Sequence, residues 1–355
     1  MVFVMRDFVL IYSDEFKLHN DPRGFHVENT RRLDIALSTC FRENVITRSD
    51  LYEPRIRPKD LVEEVHDPNY VKYVELLSRK GLNFLDQDTY VNKYTFQVAL
   101  LAVGACVEGI ELLLKEKAKR VFALVRPPGH HCGKAGRALG ALTQGFCIFN
   151  NIAIASYKAL KQGVERIVII DIDVHHGNGT QEIFWNEAKV LHIDFHQYGI
   201  YPGTGDITDL GGKDAEGTKI NIAFPPYSTD HDYIYAWIEI VEPIIKEFKP
   251  RLVLVSAGFD AYINEPLALM RLTTRGYEIL ASKIVNIAKE YSSGKILAVL
   301  EGGYEEGLSV ALPKFISILK KPHMVKYEIQ QLRPREEVKE IVMSLKRILQ
   351  NYWTF

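Results

Sequence analysis

A chain of 355 residues is long enough for one large domain or two ordinary ones. With 47% apolar and 25% charged residues it has the profile of a globular protein with a sizeable core. Forty-four Lys and Arg stand against 45 Asp and Glu, leaving a net charge of −1. There is no basic block or tail, so there is no electrostatic case for nucleic acid.

The chain opens "MVFVMRDFVLIYSDEF", an apolar stretch broken by Arg6 and Asp7, which predicts a first strand and not a signal peptide. No unbroken apolar run reaches the roughly 18 residues that span a bilayer. From there helical and strand patterns alternate: a helix over 95–117, a strand over 121–125, a helix over 150–163, then strands over 167–172, 190–193 and 220–224. A helix over 233–248, a strand over 252–256, a helix over 273–291, a strand over 296–300 and a closing helix over 334–355 complete the series. The strands are short, β-branched and apolar on both faces, as in a parallel sheet covered on two sides. Alternation of this kind predicts a mostly parallel α/β sheet. No linker, repeat or low-complexity segment interrupts it, so residues 1–355 read as one domain. Cys40, Cys106, Cys132 and Cys147 form no CxxC pair, which fits a reducing compartment and predicts a cytoplasmic protein.

Open parallel sheets bind ligands beyond the carboxyl ends of their strands. Four strands here run into polar residues and glycines at that end. "RPPGHH" (126–131) follows the strand at 121–125. "DIDVHHGNG" (171–179) follows 167–170, "AGFDA" (257–261) follows 252–256, and "EGGY" (301–304) follows 296–300. Alternation along a strand would point Asp171, Asp173 and His175 to one side. Asp173 and His175 could then share a metal, with Asp260 as the natural third ligand. Two carboxylates and one imidazole leave open positions, the pattern of a catalytic metal. His130 and His131 titrate near working pH and suit proton transfer between water and a leaving amine. Asp171 would orient His130 and Asn178 would orient His131. Tyr304 could donate to the oxygen of a tetrahedral intermediate. Each motif alone has an ordinary structural explanation; the case rests on their joint occurrence at strand ends.

"RPPGHH", "GFCIFNN", "DIDVHHGNGTQ", "YPGTGD", "SAGFDA", "PLALMRLT" and "LEGGY", in this order and over about 19–320, closely resemble the metal-dependent histone deacetylase superfamily. That superfamily includes acetylpolyamine amidohydrolases and acetoin-utilisation proteins. The resemblance implies the arginase–deacetylase α/β fold, a single eight-stranded parallel sheet flanked by helices. It implies a zinc-dependent amidohydrolase, with Fe2+ as the other candidate metal, acting on acetyl-lysine in protein or on a small acetylated amine. By position it makes Asp173, His175 and Asp260 the metal ligands, His130 and His131 the general base and acid, and Tyr304 the carbonyl-polarising hydroxyl. It makes Phe146 and Tyr201 the aromatic walls of a substrate slot that Gly145 and Gly302 also border. Asp88 becomes a rim carboxylate and Arg32 a basic residue behind the site. Asp171, Asp173, His175, Asp194 and Phe195 match a site for a monovalent cation such as K+.

Asn178 with "LEGGY" looks like the class II branch. The sequence departs from the family pattern in "HVENTRR", where prolines are usual, in "HHC" for "HHA", in "QGFC" for "MGFC", and in Asp194 where Ser is usual. None of these removes a catalytic group. Two competing readings are a catalytically silent acetyl-lysine binding module and a two-metal ureohydrolase of the same fold. The first is disfavoured by intact His130, His131 and Tyr304, the second by Asn178 and "GFDAYIN", which supply no second carboxylate set.

Overall fold

Apolar runs with no polar face are stable as strands only where helices cover both sides of the sheet. In the computed structural model, which describes residues 5–21 and 23–355, they do so. Eight strands form one sheet: β1 (Arg6–Ile11), β2 (Leu51–Tyr52), β3 (Ala118–Ala123), β4 (Ile167–Asp171), β5 (Val190–Gln197), β6 (Lys219–Phe224), β7 (Leu252–Ala257) and β8 (Ile296–Leu300). Their order is β6-β5-β4-β7-β8-β3-β1-β2, and every pairing is parallel. Met1–Val4 of the stretch read as the first strand lie outside the described residues. The two-residue strand β2 carried no sequence signal. β5 runs four residues past its expected end.

The order of strands positions the site. From β4 the chain moves to β5 on one side of the sheet; from β7 it moves to β8 on the other. β4 and β7 are neighbours, with Asp171 opposite Ser256. The segments leaving their carboxyl ends therefore diverge and leave a crevice, the topological switch point where such sheets bind ligands.

The helix Thr95–Leu114 corrects one expectation. It is 20 residues long with a mean hydropathy of 1.8, enough in length and composition to cross a membrane. Its residues are instead mostly buried against the helix Asn151–Lys161 and strands β3 and β8. A helix apolar all round is what an enclosed core position requires. The predicted helix over 233–248 is three pieces, Asp230–Ala236, a π-turn Trp237–Val241 and Glu242–Phe248. Pro243 has no N–H to give to the ladder there. The closing helix is Glu336–Leu349, with Val338, Val342, Leu345 and Leu349 buried. It packs on β6.

Candidate active site

β4 ends at Asp171, so Asp173 and His175 are not strand residues, and alternation does not explain their placement. Carboxylates shape the turn instead, by accepting backbone N–H groups. Asp171 Oδ1 accepts from the amide of Asp173 (3.1 Å) and Asp173 Oδ1 from that of His175 (2.9 Å). Asp260, on the loop after β7, reaches across the crevice and accepts from the amide of Val174 (3.0 Å).

These contacts bring Asp173, His175 and Asp260 together, with one donor atom of each within 4.8 Å of the others. His175 Nδ1 is 3.2 Å from Asp173 Oδ1 and 3.2 Å from Asp260 Oδ2. Asp260 Oδ2 is buried and has no hydrogen-bond partner. Against the cost of burial, the two carboxylates push the His175 imidazole up to about 9. The pocket thus favours positive charge at this point, and its mixed N/O donors suit a borderline divalent metal. Gly302 is required by close approach: its N–H donates to Asp173 Oδ2 (2.6 Å), and a Cβ there would fall 2.1 Å from Asp260 Oδ2.

His130 and His131 lie beside this cluster, their ring centroids 4.0 Å apart. His130 Nδ1 is 3.0 Å from Asp171 Oδ2. Burial opposes its charge, but the carboxylates of Asp171, Asp173 and Glu301 hold it well above the ordinary histidine range. His131 goes the other way, held well below that range by burial and by the neighbouring imidazoles of His130 and His175. Its tautomer follows from its partner. Asn178 Nδ2 donates to the carbonyl of Ala138 (3.0 Å), so Asn178 Oδ1 faces His131 and accepts from Nδ1 (2.9 Å). Nε2 of a neutral His131 is then a free acceptor.

A cavity of about 260 Å³ leads to these groups. Phe146, Tyr201, Gly145, Gly302, Asp88 and Tyr304 all border it, joined by Pro128 and Leu267, which the sequence did not single out. Phe146 holds a left-handed φ of 70°, a strained backbone for a bulky residue, and its N–H donates to Thr89 Oγ1 (3.2 Å). Its ring meets Tyr304 edge-on at 6.2 Å. Tyr201 is fixed by its hydroxyl, which donates to the carbonyl of Thr143 (2.9 Å). The Asp88 carboxylate accepts from both Thr89 and Thr143. Burial and neighbouring carboxylates keep the Tyr304 phenol well above its ordinary range, so it stays a donor.

Behind Tyr304 lies a buried ionic knot. The Arg32 guanidinium carbon sits 4.8 Å from the Tyr304 ring centroid, and Arg32 Nε donates to the Gly303 carbonyl (2.7 Å). Glu28 accepts from Arg32 Nη1 (3.0 Å) and from Arg126 Nη2 (2.7 Å). Glu28, Arg32 and Arg126 are all fully enclosed.

Two residues matched to the monovalent-cation site, Asp171 and Asp194, belong to a second cluster whose third member, His192, the sequence reading missed. Asp171, His192 and Asp194 also place one donor atom each within 4.8 Å of the others. Both ring nitrogens of His192 are buried without a hydrogen-bond partner. Asp194 accepts from the Gly177 amide (2.8 Å) and pairs with His196 Nδ1 (2.7 Å). The side chain of Phe195, on the opposite face of the strand from Asp194, stacks with Tyr233 and Trp237. A signal was present: in "VLHIDFHQ" His192, Asp194 and His196 alternate along one face of an otherwise apolar strand. Glu301, another missed group, accepts from the amides of Gly129 (2.7 Å) and His130 (3.2 Å) and so fixes the loop carrying the histidine pair.

The model of the histone deacetylase domain matches residues 26–318. An uncharacterized protein of Methanocaldococcus jannaschii is 46% identical over 345 residues, 97% of each chain. A probable deacetylase of Archaeoglobus fulgidus is 36% identical, covering 97% of this chain and 98% of its own. The chloroplastic histone deacetylase 14 of Arabidopsis thaliana is 41% identical over 86% of this chain and 75% of its own. Among solved structures, the HDA15 HD domain superposes with a TM-score of 0.89 at 31% identity, covering 99% of this chain and 96% of that one.

Proposed function

The chain belongs to the histone deacetylase family and is a hydrolase of amide bonds, and from that premise we propose that it removes acetyl groups from acetyl-lysine or a similar long-chain acetylated amine. The observation that carries this reading is that Asp173 and His175, two of the three residues of the Asp173/His175/Asp260 cluster, line one aromatic-walled cavity together with the His130–His131 pair. A slot between Phe146 and Tyr201 fits methylenes better than a branched or aromatic chain.

Asp173, His175 and Asp260 would hold zinc or Fe2+. The ion would polarise the amide carbonyl and make water acidic enough to attack at neutral pH. Neutral His131, with Nδ1 committed to Asn178, takes a proton from the attacking water at Nε2. Charged His130, held by Asp171, returns a proton to the departing amine nitrogen. Tyr304 donates its hydroxyl to the oxygen that gains charge.

In this reading a cation such as K+ lies near Asp171 and Asp194, where two buried carboxylates need compensating charge. The four cysteines are all buried and unpaired, which supports a reducing, cytoplasmic setting.

The test is turnover of acetyl-lysine peptides and acetylated polyamines by protein reconstituted with zinc, against N-acetyl-phenylalanine amides. Preferential release of acetate from the long-chain amines is the expected result. Equal turnover of the aromatic amide would refute the slot, and indifference to a hydroxamate chelator would refute the metal site.

A further inference from the structure

We propose that Glu265 is a positioning residue for Tyr304, binding together the two loops that border the slot. The proposal rests on the reading of Tyr304 given above. Glu265 is 5% exposed, and among the described residues no cationic side chain forms an ion pair with it. It accepts three backbone N–H groups instead: Oε2 takes that of Tyr304 (2.8 Å), and Oε1 takes those of Glu305 (3.0 Å) and Gly307 (2.8 Å). A buried carboxylate is tolerated when N–H groups at the start of a helix surround it, and a helical segment begins at Gly307.

The location makes this more than a cap. Glu265 is five residues past Asp260 and two before Leu267, on the loop that supplies both a proposed metal ligand and a wall of the slot. Its three partners lie on the opposite loop, around Tyr304. That loop has little stiffness of its own. Tyr304 follows two glycines, and Gly303 sits at φ +110°. The preceding residues are gripped from elsewhere, Gly302 by Asp173 and the Gly303 carbonyl by Arg32. The amide of Tyr304 itself is gripped by Glu265. Releasing it lets the phenol swing while the metal ligands stay in place.

Glu265→Gln tests this, since the side-chain amide must turn an N–H toward one set of backbone donors. Hydrogen exchange of the zinc-loaded protein should show faster exchange at Tyr304 and its neighbours, with zinc content unchanged. The kcat for an acetyl-lysine peptide should fall on the order of 10- to 100-fold, since misplacing a catalytic group by about 1 Å can cost ~10², while KM moves much less. In a Tyr304→Phe background the same substitution should cost less than about twofold, because coupled residues are non-additive. Glu265→Asp, which keeps the charge, should recover part of the rate and serves if the Gln variant folds poorly. Equal losses in both backgrounds would overturn the proposal, as would unchanged exchange at Tyr304. If the wild type turned over no acetylated amine, the deacetylase reading would fall, and the exchange measurement would still decide whether Glu265 holds this turn.

Discussion

Asn178 accepts the Nδ1 proton of His131 at 2.9 Å while spending its own N–H on the carbonyl of Ala138. Burial and the flanking imidazoles of His130 and His175 hold His131 below the usual range, while the carboxylates of Asp171, Asp173 and Glu301 hold His130 above it against its own burial. Pairs of titratable groups pushed apart in this way suit acid and base roles.

Asn178→Asp tests the assignment. An anion beside His131 favours its imidazolium and should raise its pKa by about 1–3 units, as opposite charges at this range do. A base must be deprotonated to act. The acid limb of the kcat/KM profile should therefore move to higher pH, and activity at neutral pH should fall. A limb that stays in place would show that His131 is not the base.

Asp260 spends Oδ1 on the Val174 amide and leaves Oδ2 free toward His175. Asp260→Asn preserves that backbone contact and removes the charge. Bound zinc after dialysis should drop from about one per chain to a small fraction, since three protein ligands are the usual minimum for a catalytic site. Far-UV circular dichroism should not change. Retention of stoichiometric zinc, measured by elemental analysis, would exclude Asp260 as a ligand.

The carboxyl end of the sheet was legible in the sequence because apolar strands broke abruptly into "DIDVHH" and "EGGY". What made the site from those pieces was not. The adjacency of β4 and β7, which sets Asp260 opposite Asp173, is a property of strand order and leaves no local trace. Asp173 and His175 were picked for a strand alternation that stops at Asp171; side-chain-to-amide bonds place them. His196 escaped because β5 was ended too early, at 193, and His192 because it was read as part of an apolar run. Glu28 and Glu265 are loop residues; Arg126 lies 98 positions from Glu28, and the amides that Glu265 binds lie about 40 away, beyond any periodicity.

Glu28 predicts how the protein responds to acid. Burial alone would raise its pKa, but the guanidinium groups of Arg126 and Arg32 hold it down to about 2, against an ordinary value of 4.5. A carboxylate depressed in the folded state contributes stability above its unfolded pKa and loses it as pH falls through the folded one. Glu28→Gln leaves two buried guanidinium groups short of an anion. At pH 7 it should cost about 3–5 kcal/mol, the usual price of breaking a buried ion pair from one side. Denaturant melts should show that difference shrinking between pH 4.5 and about 2. A gap that is constant across this window would mean Glu28 acts through packing alone.

Tyr304→Phe separates chemistry from architecture. The ring stays against Phe146 and over Arg32, so packing and fold should change little. Tyr304 is not among the proposed metal ligands, so zinc content should match the wild type. If its hydroxyl donates to the developing oxyanion, its removal matters most where the carbonyl oxygen carries charge. Losing one such donor typically costs about 10²–10³ in kcat, roughly 2.7–4 kcal/mol. KM should move far less, because an interaction confined to the transition state adds little to ground-state binding. An ordinary turn residue beside Gly302 and Gly303 would give near-normal rates instead. Steady-state kinetics with parallel zinc analysis distinguishes the two. A variant that keeps its zinc and more than about half of the wild-type kcat, against the ~10² loss expected, would remove Tyr304 from the mechanism.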